Sequence, residues 1–416
     1  MKVMLVASND TQAKQFLSVA QRLPCTVSFL SLDACYGFNA TPTLNLAKIY
    51  PIEPSWRGRK FNLATLPERF WMLWQVRVDI KNIFESVRPD CVVLGNDIGP
   101  IERIIIQYSK EKGIPTLLVQ DGIILPEQPR LAVFKLRKIY RWMRDRIFQR
   151  LGLPALETPN YGGGGCDFVA AYDQFSYKIF LSRGYSPERV RITGQPRYDS
   201  WFTSPDVDID TWRYKLQLPL GELIAIFPPT DHLVGLWNRV TLSSYVKALL
   251  QAVVRASHGR PIVLKLHPRD NLEYYEPLLQ DIGFGQINII RDLDAWIIIK
   301  LSSLVIVRDS TVGLEALLLD KPVFVADFSP YNDRILGLEV VGVFEHKAAI
   351  RFLDIKDLER GIEQFFTDVT MRNELQAARS SYRSCFPELI DSQASRRVAQ
   401  FILEIGGLRR NRWHRA

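Results

Sequence analysis

Short apolar runs, each broken by a polar or glycine turn and followed by a helical pattern, recur along this chain and restrict its architecture. In the first half they are KVMLVAS from Lys2, CTVSFLSL from Cys25, CVVLGND from Cys91, TLLVQDG from Thr116, DFVAAYD from Asp167 and VRITGQP from Val190. In the second half they are LIAIFPP from Leu223, PIVLKLHP from Pro261, INIIRD from Ile287, LVIVRDS from Leu304 and PVFVADF from Pro322. The runs are continuous in Val, Ile and Leu rather than alternating, as in strands covered on both faces; such strands belong to parallel sheets with helices on each side. At 416 residues the chain exceeds what one core usually holds. Between Gln195 and Gly221 the composition turns to Pro, Asp, Ser and aromatics without a strand-like run, as a linker should. The reading is a doubly wound α/β domain over 1–200, a linker over 201–220, a second Rossmann-like domain over 221–390, and a helix with a basic tail over 391–416. IKDLERGIEQFF and RRVAQFILEIG, with apolar residues three and four apart, make the end of the chain helical. Ligands of such sheets lie beyond the carboxyl ends of the strands, so the two halves are expected to face each other across a cleft.

Composition narrows the class. With 47% hydrophobic and 24% charged residues this is an ordinary globular chain. No run approaches the ~18 apolar residues of a membrane span. The amino terminus MKVMLVASND starts as a strand and lacks a secretory cleavage pattern, so a cytoplasmic protein is the expectation. Cys25, Cys35, Cys91, Cys166 and Cys385 have no CxxC spacing, which argues against a zinc knuckle or a disulfide framework.

Chemistry is expected at the strand ends. The run LVQDG closes on Gln120-Asp121-Gly122, where a carboxylate can act as a base or simply make a turn, since Asp and Gly are favoured turn residues. In PIVLKLHPRD the strand period puts Val263, Lys265 and His267 on one face and Leu264 and Leu266 on the other. Pro268 cannot continue a central strand, so His267 sits at the rim. There it can donate to a phosphate or a nucleotide base, with Lys265 as electrostatic support; a capping histidine and a solvated lysine are the alternatives. The strand LVIV runs into Asp309-Ser310-Thr311 and then a helix with apolar Val312, Leu314, Leu317 and Leu318. Ser or Asp there is a good N-cap, and the free N–H groups of a first turn bind anions. Gly313 would leave room for a phosphate, and Glu315 would accept from ribose hydroxyls or be an ordinary first-turn glutamate. Thr230, Asp231 and His232 in PPTDHLVG either line the donor side or form a plain loop. YGGGGCD, from Tyr161, lacks the Lys-Ser/Thr of a P-loop and reads as a mobile loop bordering the cleft. DVDID, from Asp206, lies in the linker, so no obligatory metal and no cofactor are expected.

ITGQPRYD, KLHP and DSTVGLEALLLDKPVFV together resemble the carboxyl-terminal half of GT-B glycosyltransferases of bacterial surface-polysaccharide synthesis. These include the capsule Kdo transferases, the bacterial sialyl- and polysialyltransferases and the CDP-glycerol glycerophosphotransferases. The resemblance implies a GT-B-like fold and a nucleotide-sugar donor, CMP-linked sugars among the candidates. It makes Asp121-Gly122 the general-base motif, and His267-Pro268 and Ser310-Thr311 the holders of the donor nucleotide and its phosphate. Asp121 would take the proton of an acceptor hydroxyl as it attacks the sugar carbon, the phosphate leaving toward His267 and Ser310. Gln120 is a departure, since many relatives carry an acid there. DSTVGLEA also resembles the non-hydrolysing UDP-N-acetylglucosamine 2-epimerases, which keeps an epimerase as a rival; a non-catalytic nucleotide-sugar-binding subunit is a third reading.

The charge of +8 is local. Between Leu131 and Gly152 stand Lys135, Arg137, Lys138, Arg141, Arg144, Arg146 and Arg150 against Asp145 alone, and the tail adds Arg409, Arg410, Arg412 and Arg415. The first stretch is amphipathic, with Trp142 beside Arg137, Lys138, Arg141 and Arg144. Such a helix suits an anionic membrane surface, where a lipid-linked or polysaccharide acceptor would be found; a core-packed helix with a solvated basic face is the alternative. No nucleic-acid motif accompanies the basic patch.

Overall fold

A computed structural model describes residues 1–32, 48–51, 66–124, 145–146, 148, 150–153, 160–203, 208–282, 287–331 and 337–413. It divides into two compact units, Met1–Phe202 with Asp391–Ala416, and Thr203–Ile390. Among the described residues no helix is long and apolar enough to cross a membrane.

Unit 1 is built on a sheet of β1 (Lys2–Ala7), β2 (Thr26–Ser31), β3 (Lys48–Pro51), β4 (Cys91–Leu94), β5 (Thr116–Val119), β6 (Phe168–Ala171) and β7 (Val190–Ile192). The order across it is β3-β2-β1-β4-β5-β6-β7, and the pairings are parallel. Continuous apolar strands are needed because both faces are covered. Met4, Val6, Val92, Leu94, Leu118 and Val169 pack against the helices Leu66–Val87 and Pro100–Glu111. Val3, Leu5, Cys91, Val93, Leu117 and Ala170 pack on the other side with Phe16 and Val19 of the helix Asp10–Ala20. Val398, Phe401, Ile402 and Ile405 of the last helix, Ala394–Trp413, join that second face. The end of the chain thus completes the core of the first half. Asp199 fixes it there, its two carboxylate oxygens accepting the N–H groups of Ala394 and Ser395 at 3.0 and 2.8 Å. A carboxylate on free first-turn donors is a favourable cap, helped by the helix dipole.

Unit 2 holds β8 (Ile224–Phe227), β9 (Ile262–Lys265), β10 (Ile287–Ile290), β11 (Leu304–Val307), β12 (Val323–Ala326) and β13 (Ala349–Phe352), ordered β10-β9-β8-β11-β12-β13 and paired in parallel. Ile224, Ile226, Leu264, Ile306 and Phe324 meet Leu242, Val246, Leu249 and Val253 of the helix Arg239–Ser257 and Leu358, Ile362 and Phe365 of the helix Ile355–Thr367. The segment expected to be a linker carries two short helices, Asp199–Thr203 and Ile209–Lys215, the second capped by Asp208.

Candidate functional site

In unit 2 the strand order reverses between β8 and β11, the position at which open α/β sheets leave a crevice for ligands. Because β8 pairs with both β9 and β11, the loops that follow these three strands are neighbours. They carry Thr230-Asp231-His232, His267 and Arg308-Asp309-Ser310.

Two buried polar clusters shape these loops. Arg308 has no exposed side-chain surface; its Nη1 lies 3.3 Å from Asp231 Oδ1 and its Nε 3.6 Å from Asp327 Oδ1. It also donates to the Tyr331 carbonyl and lies over the Trp237 ring, 4.6 Å from the centroid. A guanidinium taken out of water needs such partners, since an uncompensated buried charge costs several kcal/mol. Asp327 is shared with Arg351, whose Nη2 is 2.6 Å away. One cation thereby joins the chain beyond β8, β11 and β12.

The second cluster centres on Asp270, whose side chain is fully buried. Its Oδ1 lies 2.6 Å from Nε2 of His232, itself only 8% exposed, and its Oδ2 accepts the N–H of His267 at 3.3 Å. The Nδ1 of His267 accepts the N–H of Arg269 at 3.1 Å, so the neutral ring carries its proton on Nε2. Burial first, then the charge of Arg269, lowers the pKa of His267 below its ordinary value, which favours that neutral form. Ser310 caps the helix Thr311–Leu318, its Oγ accepting the N–H of Val312 at 3.2 Å. Asp309, the other candidate cap, accepts instead from the N–H of Gly337 at 2.7 Å. A neutral imidazole donor past β9 and a capped helix start past β11, on the two loops that flank the one past β8, are donors suited to an anion.

The remaining expected residues of this half have definite places. Lys265 donates its ammonium to the carbonyls of Leu266 and Arg291 at 2.7 and 2.8 Å, tying the ends of β9 and β10, and burial lowers its pKa to about 8. A Cβ on Gly313 would fall 2.7 Å from Leu338 Cδ1 and 3.2 Å from Val307 Cγ2, so the missing side chain serves helix packing. Glu315 is buried, Pro268 and Thr311 are exposed, and Thr230 precedes the turn Asp231–Val234.

In unit 1 Asp121 lies just past β5. Its Oδ2 is 3.5 Å from Gln12 Nε2, its carbonyl accepts from Gln195 Nε2 at 3.1 Å, and its buried Oδ1 has no partner among the described residues. Gln120 explains its own departure from an acid. Its Oε1 accepts the N–H of Tyr172 at 2.9 Å while its Nε2 donates to the Gly122 carbonyl at 2.7 Å and Ser176 Oγ at 2.9 Å. An ionised carboxylate accepts only, so it could not make the last two bonds with those partners as acceptors.

The glycine run from Tyr161 differs from the mobile loop expected of it. Buried Asp97, just past β4, accepts the N–H groups of Gly162 and Gly164 at 2.9 and 2.8 Å, and desolvation raises its pKa. A Cβ on Gly164 would lie 1.8 Å from the Asp97 carbonyl oxygen, so that close approach requires glycine. The membrane-surface candidates Arg137, Lys138, Arg141, Trp142 and Arg144 lie outside the described residues. Asp97, Asp270 and Arg308 escaped the sequence reading. For Arg308 there was a signal, an arginine closing an apolar strand with acids closing the neighbouring ones. Among the described residues no cluster of His, Cys, Asp and Glu is arranged to hold a metal.

No curated protein matches the chain. A crystal structure of UDP-N-acetylglucosamine 2-epimerase is 14% identical, with a TM-score of 0.64 over 98% of this chain and 96% of that one. The 2-epimerase of Neisseria meningitidis bound to UDP-GlcNAc is 15% identical, with a TM-score of 0.60 over 97% of this chain and 100% of that one. The wall teichoic acid polymerase TagF, in a variant soaked with CDPG, is 13% identical, with a TM-score of 0.60 over 97% and 88%. At such identities these likenesses show the fold, two Rossmann-like units of the GT-B and epimerase kind. The family model of CDP-glycerol:poly(glycerophosphate) glycerophosphotransferase matches residues 160–404, and the chain belongs to that family.

Proposed function

We propose that this protein transfers a polyol phosphate, glycerol phosphate in the first instance, from a cytidine diphosphate-activated donor to a hydroxyl of a growing cell-surface polymer. The observation that carries the reading is the pair of donors that flank β8 at the reversal point of the second sheet: His267 Nε2–H past β9 and the helix start capped by Ser310 past β11. Family membership and the likeness to a polymerase soaked with CDPG support it. In the reaction the acceptor oxygen forms a bond to the β-phosphorus, the bond from that phosphorus to the bridging oxygen breaks, and CMP departs with the electron pair. His267 and the helix terminus stabilise the charge that develops on the leaving phosphate. Asp121 takes the acceptor proton. A CMP-activated sugar as donor would use the same groups, with attack at the sugar carbon. The basic run Leu131–Gly152 supports a peripheral position on an anionic membrane surface, where a lipid-linked acceptor would meet the enzyme.

The test is release of CMP from CDP-glycerol in the presence of a poly(glycerophosphate) acceptor. No CMP release, together with solvent deuterium entering the second carbon of UDP-N-acetylglucosamine, would replace this reading by the epimerase. Unchanged polymer and binding in Asp121→Asn would instead favour a non-catalytic subunit.

A further inference from the structure

The most economical polar device in unit 2 is a single carboxylate holding two histidines from different loops. Asp270 is three residues beyond His267 and is 38 positions from His232, yet it contacts both, the ring of one and the backbone of the other. We propose that Asp270 is the positioning residue of the donor site, setting His267 as a hydrogen-bond donor and His232 as an acceptor toward the same nucleotide. The inference rests on the nucleotide-binding reading of this site.

With Nδ1 occupied by the Arg269 N–H, neutral His267 has only Nε2–H to offer, and it offers a donor, which suits a phosphate oxygen. His232 is the reverse. With its Nε2 proton committed to Asp270 at 2.6 Å, the neutral ring has the Nδ1 lone pair as its remaining function. That Nδ1 is buried and has no partner among the described residues. A buried acceptor left unmade is expensive, so it needs a donor group, and a hydroxyl or amino group of the nucleotide is the class of partner that would fill it. Asp270 cannot be replaced by an acid further away, because the same carboxylate also fixes the His267 backbone. The two rings are therefore set together, and a change at Asp270 reaches both.

Two measurements on the full chain test this. The chain has five histidines, so the imidazole ¹⁵N spectrum is resolvable by assignment with His232→Gln and His267→Gln. The expected wild-type spectrum shows both rings protonated on Nε2, and Asp270→Asn moves the signals of both. Unmoved signals in Asp270→Asn overturn the proposal. Calorimetry with CDP as probe is the second. Asp270→Asn and His232→Gln each weaken CDP binding about tenfold or more, and the double variant is no weaker than the worse single one. Independent losses that multiply would assign Asp270 a merely structural role and overturn the proposal. If Asp270→Asn does not fold, His232→Gln decides: weaker CDP binding with His267 signals unmoved supports the pairing, and unchanged affinity overturns it. If both rings respond to Asp270 but neither CDP, CMP nor UDP binds the wild type, the nucleotide reading fails while the positioning of the rings stands.

Discussion

Replacing Arg308 by leucine removes the guanidinium from between Asp231 and Asp327 while keeping an apolar stem against Trp237. All three charged side chains are buried, with 0%, 1% and 0% of their side-chain surface exposed. Breaking a buried pair by deleting one partner typically costs 3–5 kcal/mol. The lost contact with the Trp237 face adds roughly 1 kcal/mol, and Asp327 keeps Arg351, which pulls the total back toward about 3–5 kcal/mol. For a unit of this size that corresponds to a fall in Tm of roughly 6–20 °C. Arg308→Lys, which keeps the charge but not the planar fork, loses less. Adding Asp231→Leu to Arg308→Leu should recover part of the loss, because the second change removes a carboxylate left behind by the first. The assay is urea unfolding of the full chain followed by tryptophan fluorescence and circular dichroism together, since two units need not melt as one. A loss below about 1 kcal/mol for Arg308→Leu, or strictly additive single changes, would show that the network does not hold these loops.

Three further outcomes follow from the same geometry. Asp121→Asn retains donor binding by calorimetry while turnover falls by roughly 10²–10⁴, as expected for loss of a general base. Gly164→Ala, whose new Cβ would sit 1.8 Å from the Asp97 carbonyl oxygen, destabilises unit 1 by about 1–3 kcal/mol or more in urea unfolding; Gly113→Ala, with nothing near its Cβ, suffers only the strain of its positive φ. Lys265 gives a pH dependence. Its pKa is about 8 folded against 10.5 in the reference state, so between those values the unfolded chain binds more protons, and stability rises with pH through that window. The gain is at most about 3 kcal/mol, and the Lys265→Met variant should lack it when unfolding is compared at pH 7.5 and pH 10.

Much of the fold could be read because strands buried on both faces announce themselves as unbroken apolar runs. The strands that escaped, β3 and β13, are the outermost members of their sheets. An edge strand packs against one neighbour only and tolerates polar residues; β13 contains Arg351, paired to Asp327, and β3 ends in Pro51. The cap at Ser310 was legible because capping is a local matter of one side chain and the next turn. The pairs that shape the site were not. His232 reaches Asp270 across 38 positions and Arg308 reaches Asp231 across 77, and no spacing rule announces such a contact before the strand order is known. The last helix was legible as a helix, but its place in the core of unit 1 depends on Asp199, 195 positions before the Ala394 N–H that it accepts. Gly313 and Gly164 show the same limit in reverse: both are required, one by Leu338 and Val307 and the other by a backbone carbonyl, and neither partner is a ligand.

The most direct test is a crystal structure of the full chain with CDP bound. The diphosphate is expected within hydrogen-bonding distance of His267 Nε2 and of the N–H groups that open the helix Thr311–Leu318. A nucleotide seated instead at the reversal point of the first sheet, between β1 and β4, would contradict it.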